Sequence, residues 1–389
     1  MRAHGFARVH CSSCGKDALV AFSCKGRGFC PSCGGRRMAE SAAHLVDHVL
    51  PAVPVRQWVL SMPWRLRFLL ASDPSLCRSV RRCFLRAVFS SYRARAQRAG
   101  VPDGRTGAVN VVQRFGSALN LNVHFHALVL DGVYTAAGPF ARPVFHAAPE
   151  LEDVEVARLV RTLHQRILRL LRRRGLWPEP GEDAATLEPD SLLPFISAAS
   201  IQGRVALGPD AGRRIERLGS RSEHSRSVEP TPLCAAIDGF SLHAQVHVEA
   251  HDRERLEHLC RYVARPAIAS ERLSLSAEGQ VVYALRSPWR DGTTHFVFDP
   301  LTFIERLAAL VPRPREHQLT YHGVLAPASS WRDWIVPTPE PAVEQSATSV
   351  RQSSASSTQT PAEQCAHQAS APDAVPSPIA RSPHRYRLP

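Results

Sequence analysis

Residues 121–130, LNVHFHALVL, constrain the fold of this chain more than any other stretch. They are almost continuously apolar, short, and without a helical period, so they read as a buried strand, with Asp131-Gly132 as the turn that closes it. Side chains along a strand alternate between faces. His124 and His126 therefore project one way, and Val123, Phe125, Ala127 and Val129 the other. With 18 histidines in 389 residues, a chance His-x-His pair satisfied by backbone groups is one explanation. The other is a cation shared by two imidazoles, which needs a third ligand from a neighbouring strand.

The cysteines cluster. Cys11 and Cys14 form one Cys-x2-Cys pair and Cys30 and Cys33 another, a spacing that fits four thiolates around one zinc ion. Gly15 and Gly34 follow the pairs, as tight turns around a metal require, and Cys24 is an alternative ligand. The first residues lack an apolar targeting segment, and no run reaches the ~18 apolar residues of a membrane helix. The expectation is a cytoplasmic protein, away from membranes, with thiols reduced or metal-bound.

Charge points to the partner. The formal net charge is +13, and all but two of the 48 basic residues are arginine, an excess that favours a polyanion. A helix is predicted from Asp73-Pro74 to Gly100, with Leu76, Val80, Phe84, Ala87 and Val88 on its apolar stripe and arginines over the rest. Residues 151–175 read as a second amphipathic helix. Residues 239–250, GFSLHAQVHVEA, alternate cleanly, with Leu242, Ala244, Val246 and Val248 on one face and His243 and His247 on the other. Asp252 then opens a helix that Pro266 stops, with Leu256, Leu259 and Val263 as its apolar stripe. Tyr262 sits off that stripe, beside Arg255, Arg261 and Arg265. A structural tyrosine buries its ring, whereas a phenol among arginines suits attack on a phosphate.

Three stretches, QRFGSALNLNVHFHALVLDG, LCRYVARPAIASERL and YALRSPWRDGTTHFVFDP, resemble the rolling-circle transposases of the insertion sequence 91 family and the related common-region elements. The resemblance spans most of residues 5–335. It implies an α+β fold of the His-hydrophobic-His endonuclease type: a zinc ribbon-like module and a helical connector, then an antiparallel sheet with helices packed on one side. The corresponding ranges are 1–40, 41–105 and 106–335, with an insertion at about 135–235 and a disordered tail at 336–389. The resemblance further implies nicking and rejoining of single-stranded DNA through a 5′-phosphotyrosine on Tyr262. His124 and His126 would hold magnesium or manganese together with Gln113, or else His243, and Arg261 or Arg265 would stabilise the transition state. Single-stranded and hairpin element ends are the implied partners, with a second protomer and host replication proteins as candidates. Better-known members carry a second tyrosine four residues after the first. Here that position is Pro266, so a single-tyrosine enzyme is expected.

Two rivals remain at this point. A plasmid replication initiator or relaxase would share the chemistry, and a zinc-dependent DNA-binding protein without catalysis would tolerate loss of His124, His126 and Tyr262.

Overall fold

The structure, a computed structural model, describes residues 6–10 and 17–21 by backbone alone, and residues 30–138, 140–176, 192–219, 231–314 and 316–338 in full. Cys11, Cys14, Cys24 and the tail beyond 338 lie outside the described residues.

β1 (Phe6–His10) and β2 (Asp17–Ala21) pair antiparallel. α1 (Pro31–His48) starts inside the second cysteine pair. Cys30 is its N-cap, and the Cys30 thiol accepts the Cys33 N–H at 3.5 Å. Pro31 suits the first turn, where an N–H would have no helical partner. β3 (Val55–Ser61) and α2 (Trp64–Ser72) lead to α3 (Pro74–Arg98), whose cap is the one predicted: the Asp73 carboxylate accepts from the Ser75 and Leu76 N–H groups. β4 (Gly107–Phe115) and β5 (Leu121–Leu130) form the central hairpin, and β6 (Gly132–Thr135) pairs with β7 (Val144–Ala147). Next come α4 (Asp153–Arg173), α5 (Leu192–Gln202), β8 (Glu216–Gly219), β9 (Cys234–Ile237), β10 (Phe240–His243) and β11 (His247–Val248). α6 (Arg253–Ala264) is capped by Asp252 and ends just before Pro266. β12 (Leu273–Leu275), β13 (Val281–Ala284), β14 (Thr293–Phe298), α7 (Pro300–Leu310), β15 (Leu319–Gly323) and α8 (Arg332–Ile335) complete the described elements.

The main sheet is antiparallel, in the order β15-β4-β5-β3-β10-β9, with β11 also on β3. β5 lies at its centre, as its apolar run requires. β12, β13, β14 and β8 form a separate four-stranded sheet.

Four expectations need correction. The segment expected to be a helical connector also supplies β3, which pairs with β5 along its whole length. Helices cover both faces of the sheet, because both are apolar. Phe125, Ala127 and Val129 pack with Phe84 of α3 and Ile167 of α4, while Leu128, Leu130 and Val109 pack with Leu45 of α1 and Leu259 of α6. Asp131-Gly132 is not a reversing turn: Asp131 is buried, and the chain runs on into β6. The alternation at 240–248 breaks, since four steps from His243 to His247 oppose three from Val59 to Arg56. That one-residue bulge swaps faces, sending Leu242 to the α3 side and Val248 to the α1 side. Tyr321 belongs to edge strand β15. No helix among the described residues is long and apolar enough to cross a membrane.

Candidate active site

The alternation of β5 aims His124 and His126 at the layer formed by α1 and α6, their ring centroids 4.9 Å apart. Gln113 of β4 is paired directly with His124, on the same face, and is buried. His243 pairs with Val59 on β3 and so stands two strands from β5, roughly 10 Å away at the usual strand spacing.

Hydrogen bonds set which imidazole nitrogen is free. His124 Nδ1 is 2.8 Å from the Asn122 carbonyl oxygen, which can only accept, so Nδ1 carries the proton and Nε2 the lone pair. His126 Nδ1 meets the Gln57 side-chain amide at 2.8 Å. The two ends of an amide are interchangeable by a half-turn. With the oxygen facing the ring, Nδ1–H donates and Nε2 keeps its lone pair. In either orientation His126 Nε2 is buried without a hydrogen-bond partner among the described residues.

Gln113 works at both ends of its side chain. Its Nε2 donates to the Val263 carbonyl at 2.8 Å and lies 3.4 Å from that of Tyr262, tying the last turn of α6 to β4. These carbonyls have no partner within a helix end. Its Oε1 is buried and has no partner among the described residues, as is the case for Asn122 Oδ1.

This donor set fits a divalent cation. Imidazole nitrogen favours divalent transition ions and amide oxygen favours harder ions, a mixture that manganese meets better than magnesium, and among the described residues the buried His126 Nε2 and Gln113 Oε1 have no hydrogen-bond partner. Among the described residues no three His, Cys, Asp or Glu side chains gather as ligands, so a third protein ligand here would be an amide. Desolvation lowers the pKa of His124 to about 4, the Asn122 hydrogen bond opposing it and the Arg265 charge adding to it. Burial also takes His126 well below its ordinary value, with His124 and Arg265 adding to the effect. Burial thus favours the neutral form of both rings relative to ordinary imidazoles.

α6 brings the phenol to this cluster. The Tyr262 ring is 38% exposed and its centroid lies 5.9 Å from that of His126. The Arg265 guanidinium sits 4.0 Å from the Tyr262 centroid and 5.5 Å from that of Phe115. Arg261, the other cation expected here, turns instead to Glu257 at 2.7 Å. Of the arginines flanking Tyr262 in sequence, Arg265 is the one packed on its ring. Tyr283 is buried in β13, with Arg272 over its ring, and Tyr321 is half-buried.

Gly34 has a role other than the turn its sequence position suggests. It is helical, and an added Cβ would fall 2.6 Å from the Cβ of Pro266. Glycine lets α1 close on the end of α6. Near the C-terminal end of α1, Arg253 of α6 donates to the carbonyls of Leu50 and Pro51. The helix that carries Cys33 is therefore clamped to the helix that carries Tyr262. Gln57 and the Asn122 carbonyl were not found from the sequence. Gln57 had a signal, since it lies in a short apolar run between prolines that can be read as a strand.

Residues 107–332 match a family model described as "Putative transposase", and residues 1–62 match one described as "Transposase zinc-binding domain", of insertion sequence 91 type. No curated protein and no solved structure matches the chain.

Proposed function

The chain belongs to the insertion sequence 91 family of transposases, with a zinc-binding domain at its N-terminus, and from that premise we propose that it nicks and rejoins single-stranded DNA with Tyr262 as nucleophile. One observation carries the reading: a partly exposed tyrosine stands 5.9 Å, ring to ring, from a buried histidine whose Nε2 has no partner among the described residues. Magnesium or manganese, held by His124, His126 and Gln113, would polarise the scissile phosphate.

The Tyr262 oxygen attacks phosphorus and gives up its proton to solvent. A tyrosine–phosphate bond forms, the bond to the 3′-oxygen breaks, and that oxygen takes up a proton to leave as a 3′-hydroxyl. Arg265 lies where it can offset charge building on the phosphoryl oxygens, whereas Arg261 is engaged by Glu257. Gln113 fixes the end of α6, which limits how far the phenol can drift from the histidines. A 3′-hydroxyl from another strand then reverses the step and joins DNA, as rolling-circle transposition requires. In the N-terminal module, Cys11, Cys14, Cys30 and Cys33 would bind the structural zinc, with Cys24 as the alternative ligand.

The test is incubation with a single-stranded element end and manganese, followed by mass spectrometry of the adduct. A covalent adduct at Tyr262 that disappears in Tyr262→Phe is expected. An adduct that persists in that variant, or maps to Tyr283 or Tyr321, overturns the assignment.

A further inference from the structure

Six arginines converge on a cleft that this chemistry does not use. Arg82 and Arg86 of α3 face Arg166, Arg169, Arg172 and Arg173 of α4 across about 720 Å³, with Ser79, Cys83 and Leu170 between them. The helices run antiparallel: Arg174, beyond the end of α4, reaches Ser79 at 2.8 Å and Asp73 at 3.5 Å, and Arg98 of α3 pairs with Glu155 near the start of α4.

Several arginines elsewhere are already engaged. Arg56, Arg98, Arg174, Arg217 and Arg261 each meet a carboxylate. Among the described residues, none of the six cleft arginines forms an ion pair or a side-chain hydrogen bond. Like charges held side by side repel, and the arrangement becomes favourable when a polyanion supplies the counter-charge. Spacing fits a chain of phosphates. Arg166 to Arg173 covers seven residues of helix, a rise of about 10 Å, comparable to about three phosphates of one strand at ~3.4 Å each.

α3 and α4 cover the sheet face opposite the one under α6, so the cleft and Tyr262 lie on opposite sides of the sheet. We propose that the α3–α4 cleft is a second DNA site, which grips the phosphodiester backbone of a segment other than the strand cut at Tyr262. This gives a role to α4, part of the insertion between the central hairpin and β10. Naming the polyanion as DNA rests on the transposase reading.

The test separates binding from cleavage. Full-length Tyr262→Phe protein, which can form no adduct on that residue, is titrated without divalent metal against a fluorescent DNA hairpin of arbitrary sequence. Adding Arg86→Gln with Arg169→Gln lowers the slope of log affinity against log salt by about 2, at ~0.9 per lost phosphate contact. Adding Arg142→Gln with Arg213→Gln, the same charge removed outside the cleft, leaves the slope unchanged. With Tyr262 intact, the cleft pair still forms adduct on a short single strand at the parental rate. An unchanged slope in the cleft variant, an equal loss in the control, or displacement by inorganic phosphate as readily as by DNA overturns the proposal. Should Arg86→Gln with Arg169→Gln lower the thermal midpoint, Arg82→Gln with Arg166→Gln repeats the measurement. If no protein with Tyr262 forms an adduct, the catalytic reading fails while the binding result stands.

Discussion

Two buried polar clusters share strand β5 and its end, and they differ in how completely they are satisfied. At the end of the strand, Asp131 accepts from the Tyr92 hydroxyl at 2.7 Å, pairs with Arg56 at 2.8 Å and lies 3.1 Å from His247 Nε2, while Trp58 donates to Tyr92. That cluster is closed. Around His126, the imidazole Nε2, Gln113 Oε1 and Asn122 Oδ1 are buried with no partner among the described residues. An unpaired buried group costs about 1–3 kcal/mol, so three together are a standing cost that a ligand can offset. Both clusters are buried; they differ in how much of their hydrogen-bonding capacity is met.

The comparison predicts opposite outcomes for substitution. Changing both His124 and His126 to Ala should abolish adduct formation and cost less stability than Asp131→Asn, since it deletes an unpaired nitrogen even though it leaves the Gln57 amide without its partner. Asp131→Asn should cost about 3–5 kcal/mol in urea unfolding, because Arg56 loses its buried counter-charge, and should leave residual activity in proportion to folded protein. Retained cleavage in the double histidine variant, or a stable Asp131→Asn protein, would break the contrast.

A substitution behind the His126 ring should have a smaller effect. Gln57→Leu removes the partner of His126 Nδ1 and should weaken manganese binding by roughly 10–100-fold in a calorimetric titration, with the fold intact. Unchanged binding would show that ring packing alone orients His126.

Acid tests the closed cluster. Burial by itself would raise the Asp131 pKa, but hydrogen bonds from His247, Arg56 and Tyr92, with the Arg56 charge, lower it to about 2 from 3.8. A depressed folded value contributes stability that is fully present above the unfolded value and is lost as pH falls through the folded one. Wild-type protein should thus lose on the order of 2 kcal/mol between pH ~4 and ~2 from this group. Asp131→Asn should lack that component in paired unfolding curves.

The smallest expected effect lies at the clamp on α6. Gly34→Ala gains up to about 1 kcal/mol of helix propensity but forces a contact at 2.6 Å with Pro266. Overpacking of this kind costs about 1–3 kcal/mol, so net destabilisation near 1 kcal/mol and slower adduct formation are expected. A more stable and equally active variant would show that α1 does not hold Tyr262 in register.

Much of this was legible in the chain. The period-two pattern of β5 put both histidines on one face, and Asp73 and Asp252 announced the helices they cap. Pro266 marked the end of α6, and Tyr262 fell off its apolar stripe. Each of these follows from local geometry, because alternation, helical period, caps and proline act within a few residues. What lay beyond sequence depends on contacts between distant segments. β3 is a short run whose strand identity comes from pairing with β5. The bulge after β10 reversed a clean alternation because the register on β3 overrides the pattern of one strand.

The sequence by itself determined the chemical inventory of this protein: two histidines on a central strand, an off-stripe tyrosine on a capped helix, paired cysteines and an arginine excess. Only the tertiary structure decided which of these meet. It packed Arg265 rather than Arg261 on the Tyr262 ring, set Gln57 and the Asn122 carbonyl against the two histidines, and gathered arginines of α3 and α4 into one cleft. The physical reason is that hydrogen-bond satisfaction and charge pairing belong to neighbours in space, and those neighbours are set by packing between elements far apart in the chain.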